Sequence, residues 1–233
     1  MSLFVIADLH LSFGVPDKTM RIFNGWDNYQ QLIEKNWLEL IKPEDTVVLP
    51  GDISWGMSLQ QARADFDFIN RLPGNKIIIK GNHDYWWTTM SKMENFMKAE
   101  GFDTIKILHN NHFRYDEKYA ICGTRGWVNV PGESQPQDAK VLLREVQRLE
   151  TSIKSAISEG LEPLVFMHYP PIFGSSFNYD ILEVLYRYKI KECFYGHIHG
   201  RSGHKLCVQG EYDDINFHLI ASDYLQFIPH RIM

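Results

Sequence analysis

Short apolar runs punctuate this chain and alternate with stretches in which apolar residues recur every three or four positions. The short runs predict strands at Leu3–Ala7, Thr46–Leu49, Lys76–Ile79, Ile105–Leu108, Tyr119–Cys122, Pro163–Met167, Glu192–Tyr195, His204–Val208 and Phe217–Ala221. Several are apolar throughout rather than alternating, which is the pattern of strands covered on both faces. Tyr29, Ile33, Trp37 and Leu40 repeat at helical spacing ahead of Pro43. Leu59 to Leu72 is a second helical stretch, closed by Pro73-Gly74, and Met90 to Ala99 is a third, ending before Gly101. The longest, Asp138 to Ser158, carries Leu142, Val146, Leu149, Ile153 and Ile157 on one face, a stripe that reads as core packing.

Strand and helix alternate through the first half, which predicts right-handed βαβ units and a parallel sheet. The second half repeats the theme but finishes in strands, so a second, mixed sheet is expected. The class is α/β. Two loops, Ser12–Trp26 and Thr124–Pro136, are long and rich in Gly, Pro and polar residues. With no repeat, low-complexity tract or linker, 1–233 reads as a single domain, and 233 residues suffice for one sizeable core.

Composition narrows the function classes. At 44% hydrophobic and 23% charged the chain is an ordinary globular protein. A formal charge of −5 gives no basic footprint for nucleic acid, although bound divalent cations would add positive charge that this count omits. Cys122, Cys193 and Cys207 lack CxxC spacing and read as reduced core thiols, so a cytoplasmic location is expected. The apolar N-terminus has no basic region and is interrupted by Asp8 and His10, which does not fit a secretion signal. No run approaches 18 apolar residues, so no membrane span is expected.

The chemistry lies where the strands end. The first predicted strand ends in "ADLH" (Asp8, His10), the second in "LPGD" (Gly51, Asp52) and the third in "KGNHD" (Gly81, Asn82, His83, Asp84). Pro163–Met167 ends in "MHYPP" (His168), and Glu192–Tyr195 in "YGHIHG" (His197, His199). Open α/β sheets bind ligands at the carboxyl ends of their strands. Five strands finishing in oxygen or imidazole donors therefore suggest a pair of divalent cations, with Asp52 able to bridge them through its two oxygens. Mixed nitrogen and oxygen donors suit Mn, Fe or Zn. Each motif alone has an ordinary explanation, as a turn or a satisfied core histidine; the whole series in this order does not.

The series Asp-x-His, Gly-Asp, Gly-Asn-His-Asp, His and Gly-His-x-His, from Asp8 to His199, resembles that of the calcineurin-like metallophosphoesterase superfamily. "IADLHLSFG", "GDISWGM", "GNHDYWW" and "CGTRGW" are similar to a bacterial branch of predicted phosphohydrolases. The resemblance implies a four-layer α/β/β/α sandwich of two mixed β-sheets flanked by helices. It also implies that Asp8, His10 and His199 hold one metal, Asn82, His168 and His197 a second, and that Asp52 bridges both. His83 would face the substrate and assist the leaving group, with Asp84 orienting its other ring nitrogen. The implied reaction is in-line attack by a metal-bridging hydroxide on a small phosphomonoester or phosphodiester, without a covalent phosphoenzyme. A phosphodiesterase for cyclic nucleotides or nucleic acid, and a non-catalytic scaffold on the same fold, are the alternatives.

Other residues have two readings. Arg125, just past a predicted strand, would fork onto a phosphate oxygen or pair structurally with a carboxylate. Trp86 and Trp87 offer a stacking surface but enter a helix, where aromatic residues pack on the sheet. Lys18 and Arg21 read as solvated, and His109, His112, His204, His218 and His230 as strand or surface histidines.

Overall fold

The structure, a computed structural model, describes residues 1–127 and 136–233, with the backbone alone at 136 and 137. The loop Thr124–Pro136 therefore lies largely outside the described residues. The chain divides into two compact units, Met1–Ile107 with Ile220–Met233, and Leu108–Leu219.

In the first unit the described strands β1 (Leu3–Val5), β2 (Thr46–Pro50), β3 (Asn75–Ile79) and β4 (Ile105–Ile107) run parallel. The sheet order places the C-terminal β13 (His230–Arg231) antiparallel at the edge beside β1. Crossovers are made by α1 (Tyr29–Leu40), α2 (Leu59–Arg71) and α3 (Met90–Glu100), close to the predicted spans. Phe4, Val47, Leu49, Ile78, Ile105 and Ile107 share one sheet face and pack with Tyr29, Ile33 and Trp37 of α1, Phe66 and Ile69 of α2, and Met93 and Met97 of α3. Leu3, Val5, Val48, Ile77 and Ile79 alternate with them and are equally buried. Both faces of β1, β2 and β3 are buried, which is why their apolar residues run consecutively instead of alternating with polar ones.

The loop from Ser12 to Trp26 packs onto α2. Phe13 N–H donates to the buried Asp65 carboxylate at 2.7 Å. A Cβ on Gly14 would stand 1.8 Å from the Gln61 carbonyl oxygen, so the close approach needs glycine.

In the second unit β6 (Tyr119–Thr124), β7 (Glu162–Met167), β10 (Glu192–Tyr195) and β12 (Ile215–Leu219) run parallel, flanked by antiparallel edges β5 (Phe113–Arg114) and β11 (Gly210–Tyr212). Two helices belong to this unit's core: α4 (Pro136–Ile157), which buries Leu149, Ile153 and Ala156, and α5 (Tyr179–Arg187), which buries Ile181, Leu182, Val184 and Leu185. A small hairpin pairs β8 (Ile172–Phe173) with β9 (Ser176–Phe177).

The two large sheets are thus mixed and flanked by helices. Among the described residues no helix is long and apolar enough to cross a membrane. One predicted strand is absent. His204–Val208 instead ends the short helix α6 (Gly200–His204) and turns, leaving Leu206 half exposed and Cys207 in a single bridge to Phe173. Helix α5 had no counterpart among the predicted elements. It begins at Asn178, whose side chain accepts from Ile181 N–H at 3.2 Å.

Candidate metal centre

In the first unit the chain continues past β1 alongside the chain past β2. Asp8 N–H donates to Gly51 O, His10 N–H to Asp52 O, Leu11 N–H to Ile53 O, and Trp55 N–H back to Leu11 O. This ladder carries two donor-bearing segments side by side. Asp8 (φ 60°), His10 (φ 46°) and Asp52 (φ 52°) all take left-handed backbone conformations. Such conformations cost roughly 1–2 kcal/mol for a residue with a Cβ, and they cluster where function over-determines the backbone.

The three side chains are buried, at 0%, 2% and 1% exposure. The ligand atoms of Asp8 and His10 lie within 4.8 Å of each other, and His10 Nε2 is 3.7 Å from Asp52 Oδ2. Buried carboxylates next to imidazoles are costly unless paired or bound to a cation. This donor set suits a divalent metal.

The turn after β3 locks onto the turn after β2. His83 N–H donates to Asp52 Oδ1 at 2.8 Å, which fixes one oxygen of the carboxylate. In return Asp84 reaches across. Its Oδ2 accepts from Asp52 N–H (2.9 Å) and Gly81 N–H (2.7 Å), and its Oδ1 from Ile53 N–H (2.9 Å), Ser54 N–H (3.2 Å) and Trp86 Nε1–H (2.9 Å). A carboxylate offers about four lone-pair sites, and five N–H donors use them all. Through these bonds Asp84 staples the two turns that carry Asp52, Asn82 and His83. Burial and the nearby Asp52 charge push its pKa up, while the backbone hydrogen bonds from Gly81, Ser54 and Ile53 pull it down. Gly81 is required here, because a Cβ would meet Asp52 Oδ1 at 2.1 Å. Asn82 and His83 are half-buried.

Aromatic rings frame the imidazoles. Trp55 stacks on His10 (centroids 5.1 Å, 22° between planes) and also touches His83 (4.4 Å), while Trp26 meets His10 edge-on at 5.8 Å. Tyr29 donates its hydroxyl hydrogen to His10 O at 2.7 Å. Sequence reasoning passed over Trp55; its place two residues after "GDI" was the available signal. Trp86 is core, as expected, packed at 90° on Phe66.

In the second unit parallel pairing of Met167 with Tyr195 sets His168 beside Gly196, and Gly196 N–H donates to His168 O at 3.1 Å. That register brings His168 and His197 together, with ring centroids 5.0 Å apart. His197 has φ 72°, and the Tyr169 ring lies 4.2 Å from it. His199 stands at the cap position of α6.

Arg125 is in the same unit and is 14% exposed. Its guanidinium lies 3.4 Å from Glu145 and stacks 4.4 Å over the Trp127 ring. Burial lowers its pKa. These contacts describe structural pairing with a carboxylate, one of the two readings of Arg125.

Residues 1–201 match the sequence profile of the family described as calcineurin-like phosphoesterase. No curated protein sequence matches the chain. Among solved structures, a phosphopantetheinyl hydrolase (PptH) from Mycobacterium tuberculosis is 14% identical. That match covers 100% of this chain and 95% of that one, with a TM-score of 0.60. A protein of unknown function from Aquifex aeolicus is 19% identical over 99% of this chain and 95% of its own, with a TM-score of 0.48. The likeness to the phosphopantetheinyl hydrolase is one of fold.

Proposed function

The chain belongs to the calcineurin-like phosphoesterase family and is a metal-dependent phosphoester hydrolase; on that premise we propose that it cleaves a small phosphomonoester or phosphodiester at a centre of two divalent cations. In this reading 1–233 acts as one catalytic domain. Asp8, His10 and His199 hold one cation, Asn82, His168 and His197 the other, and Asp52 bridges. Mn, Fe or Zn fits these donors. Bound cations supply Lewis acidity toward the phosphoryl oxygens and a water of lowered pKa.

The remaining steps fall to the chain's own residues. Asp52 is held in place by His83 N–H on Oδ1, so its carboxylate is oriented before any ligand arrives. His83, as imidazolium, donates a proton to the leaving-group oxygen and is left as the neutral imidazole, a contribution of roughly 10²–10⁴-fold. No side chain need act as nucleophile, and Cys122 and Cys193 fit that role poorly: burial pushes the Cys122 thiol up to about 12 and raises that of Cys193 as well. The observation that carries the reading is the buried group Asp8, His10 and Asp52, with strained backbone at every member.

The test is metal analysis followed by a panel: a phosphomonoester, a phosphodiester, a cyclic nucleotide and a phosphopantetheinyl conjugate, the last because a protein of this fold is named for that group. Two cations per chain with turnover of at least one small ester support the reading. Two cations with no turnover contradict it and favour a scaffold. His83→Ala should keep both cations and lose rate, most of all on esters with poor leaving groups; full activity on such an ester would remove His83 from its role.

A further inference from the structure

We infer that Trp55 is a positioning residue of the reaction: one indole that fixes two imidazoles, His10 on the metal side and His83 on the leaving-group side. The inference rests on the two-cation reading above. It starts from where the chain must put this ring. Asp84 accepts Ser54 N–H at 3.2 Å, Trp55 N–H donates to Leu11 O at 2.9 Å, and Gly56 N–H donates to Ser54 Oγ at 3.0 Å. The Ser54 hydroxyl in turn donates to the buried Asp65 carboxylate. Ser54 and Trp55 are therefore anchored to three different segments, at Asp84, Asp65 and Leu11, and a Cβ on Gly56 would meet Ala62 N at 2.6 Å. The backbone under Trp55 has little freedom, so the ring itself is a fixed surface.

That surface meets His10 nearly parallel at 5.1 Å and His83 at 4.4 Å with a 46° tilt; the two imidazoles are themselves 5.7 Å apart. A ring chosen only for core packing has no reason to span both. A buried indole N–H also normally finds an acceptor, yet Trp55 Nε1 is buried with no hydrogen-bond partner among the described residues. A packing role would not select an indole whose polar end is unused, whereas the width of the ring explains the choice: it reaches both imidazoles at once. His10 is further confined by Trp26 edge-on at 5.8 Å, while Trp55 is the ring that joins it to His83.

The experiment compares wild type, Trp55→Leu and Trp55→Phe in two independent measurements. The first titrates Mn²⁺ into chelator-treated protein and reads affinity by calorimetry. The second reads kcat and KM over a series of aryl and alkyl phosphate esters graded by leaving-group pKa. Loss of the ring should weaken Mn²⁺ binding roughly 3- to 10-fold, the scale of one aromatic contact. It should lower kcat about 10-fold or more on the poorest leaving groups and under about 3-fold on the best, with KM little changed. Trp55→Phe should recover most of both losses. A folded Trp55→Leu with wild-type Mn²⁺ affinity and an unchanged leaving-group dependence overturns the inference and makes Trp55 a packing residue. If the leucine variant does not fold, Trp55→Met, with similar reach and no ring face, is read in the same way. If wild type binds Mn²⁺ but turns over none of the series, the proposed function fails. The Mn²⁺ affinity of the variants still decides Trp55, since an unchanged value overturns its role and a weakened one supports it.

Discussion

Asp84→Asn is the substitution that most directly probes how the site is built. The native carboxylate serves two N–H donors on Oδ2 and three on Oδ1. Asparagine has one acceptor oxygen. Its best orientation keeps the three donors from Ile53, Ser54 and Trp86 and turns its amide NH₂ toward Asp52 N–H and Gly81 N–H. Two buried backbone donors are then left facing another donor. An unsatisfied buried group costs about 1–3 kcal/mol, so the loss should be roughly 2–6 kcal/mol, against a total of about 5–15 kcal/mol for a typical protein. For a chain of this length that corresponds to roughly 2–4 °C of melting temperature per kcal/mol.

Urea unfolding followed by far-UV circular dichroism, in chelator and again with Mn²⁺, measures it. Mn²⁺ affinity should fall as well, because the turns carrying Asp52 and His83 lose their staple. The opposing force is explicit: burial and the Asp52 charge push the Asp84 pKa up. Were the native group a neutral acid, it would already present an O–H to one of these N–H donors, and asparagine would be nearly silent. A loss below about 1 kcal/mol would refute the argument that Asp84 is an anion held by five donors.

Three further expectations follow from particular contacts. Gly81→Ala places a methyl group 2.1 Å from Asp52 Oδ1, so turnover and Mn²⁺ stoichiometry should fall together, by about 100-fold in rate, while circular dichroism shows the fold retained; normal metal content would contradict it. Burial pushes the Asp65 pKa up to about 6 from 3.8. A carboxyl raised in this way stabilises the fold while protonated, fully below about pH 4 and progressively less as pH rises through about 6. The gap is worth ~3 kcal/mol, so the stability difference between wild type and Asp65→Asn in urea should change by that order between pH 4 and 7, and a flat difference would refute it. Arg125→Ala should lower stability by about 1–3 kcal/mol, since it uncovers Trp127 and removes one partner of the buried Glu145. KM should move less than about 3-fold, and a larger rise would favour the phosphate clamp.

Much of the arrangement was legible because one physical fact serves both fold and site. A parallel strand covered on both faces must be apolar to its end, so the first polar residue after it stands out, and Asp8, Asp52 and His168 all do. The donors were visible for the same reason that the strands were. What could not be seen is what the donors lean on. The five hydrogen bonds of Asp84 include three from residues about thirty positions earlier in the chain, and no local pattern encodes them. Trp55 looked like any aromatic residue in a turn until Leu11 and Ser54 placed it between two imidazoles. For Arg125 the missing signal was its partner: the Glu145 carboxylate beside it comes from α4, twenty residues on. The strand predicted at His204–Val208 failed because three apolar residues in a row, Leu206 to Val208, also fit the turn that follows a helix end. The edge strands β5, β11 and β13 are two or three residues long, too short to carry a period.

The central claim is a pair of cations bridged by Asp52. Mn²⁺ bound per chain, measured by equilibrium dialysis with elemental analysis for wild type and for Asp52→Asn alongside hydrolysis of a phosphoester, tests it most directly. The account predicts two ions on the wild-type chain. In the variant it predicts loss of at least one, with nearly all hydrolysis gone. An Asp52→Asn chain that holds two ions and hydrolyses at the wild-type rate would contradict it.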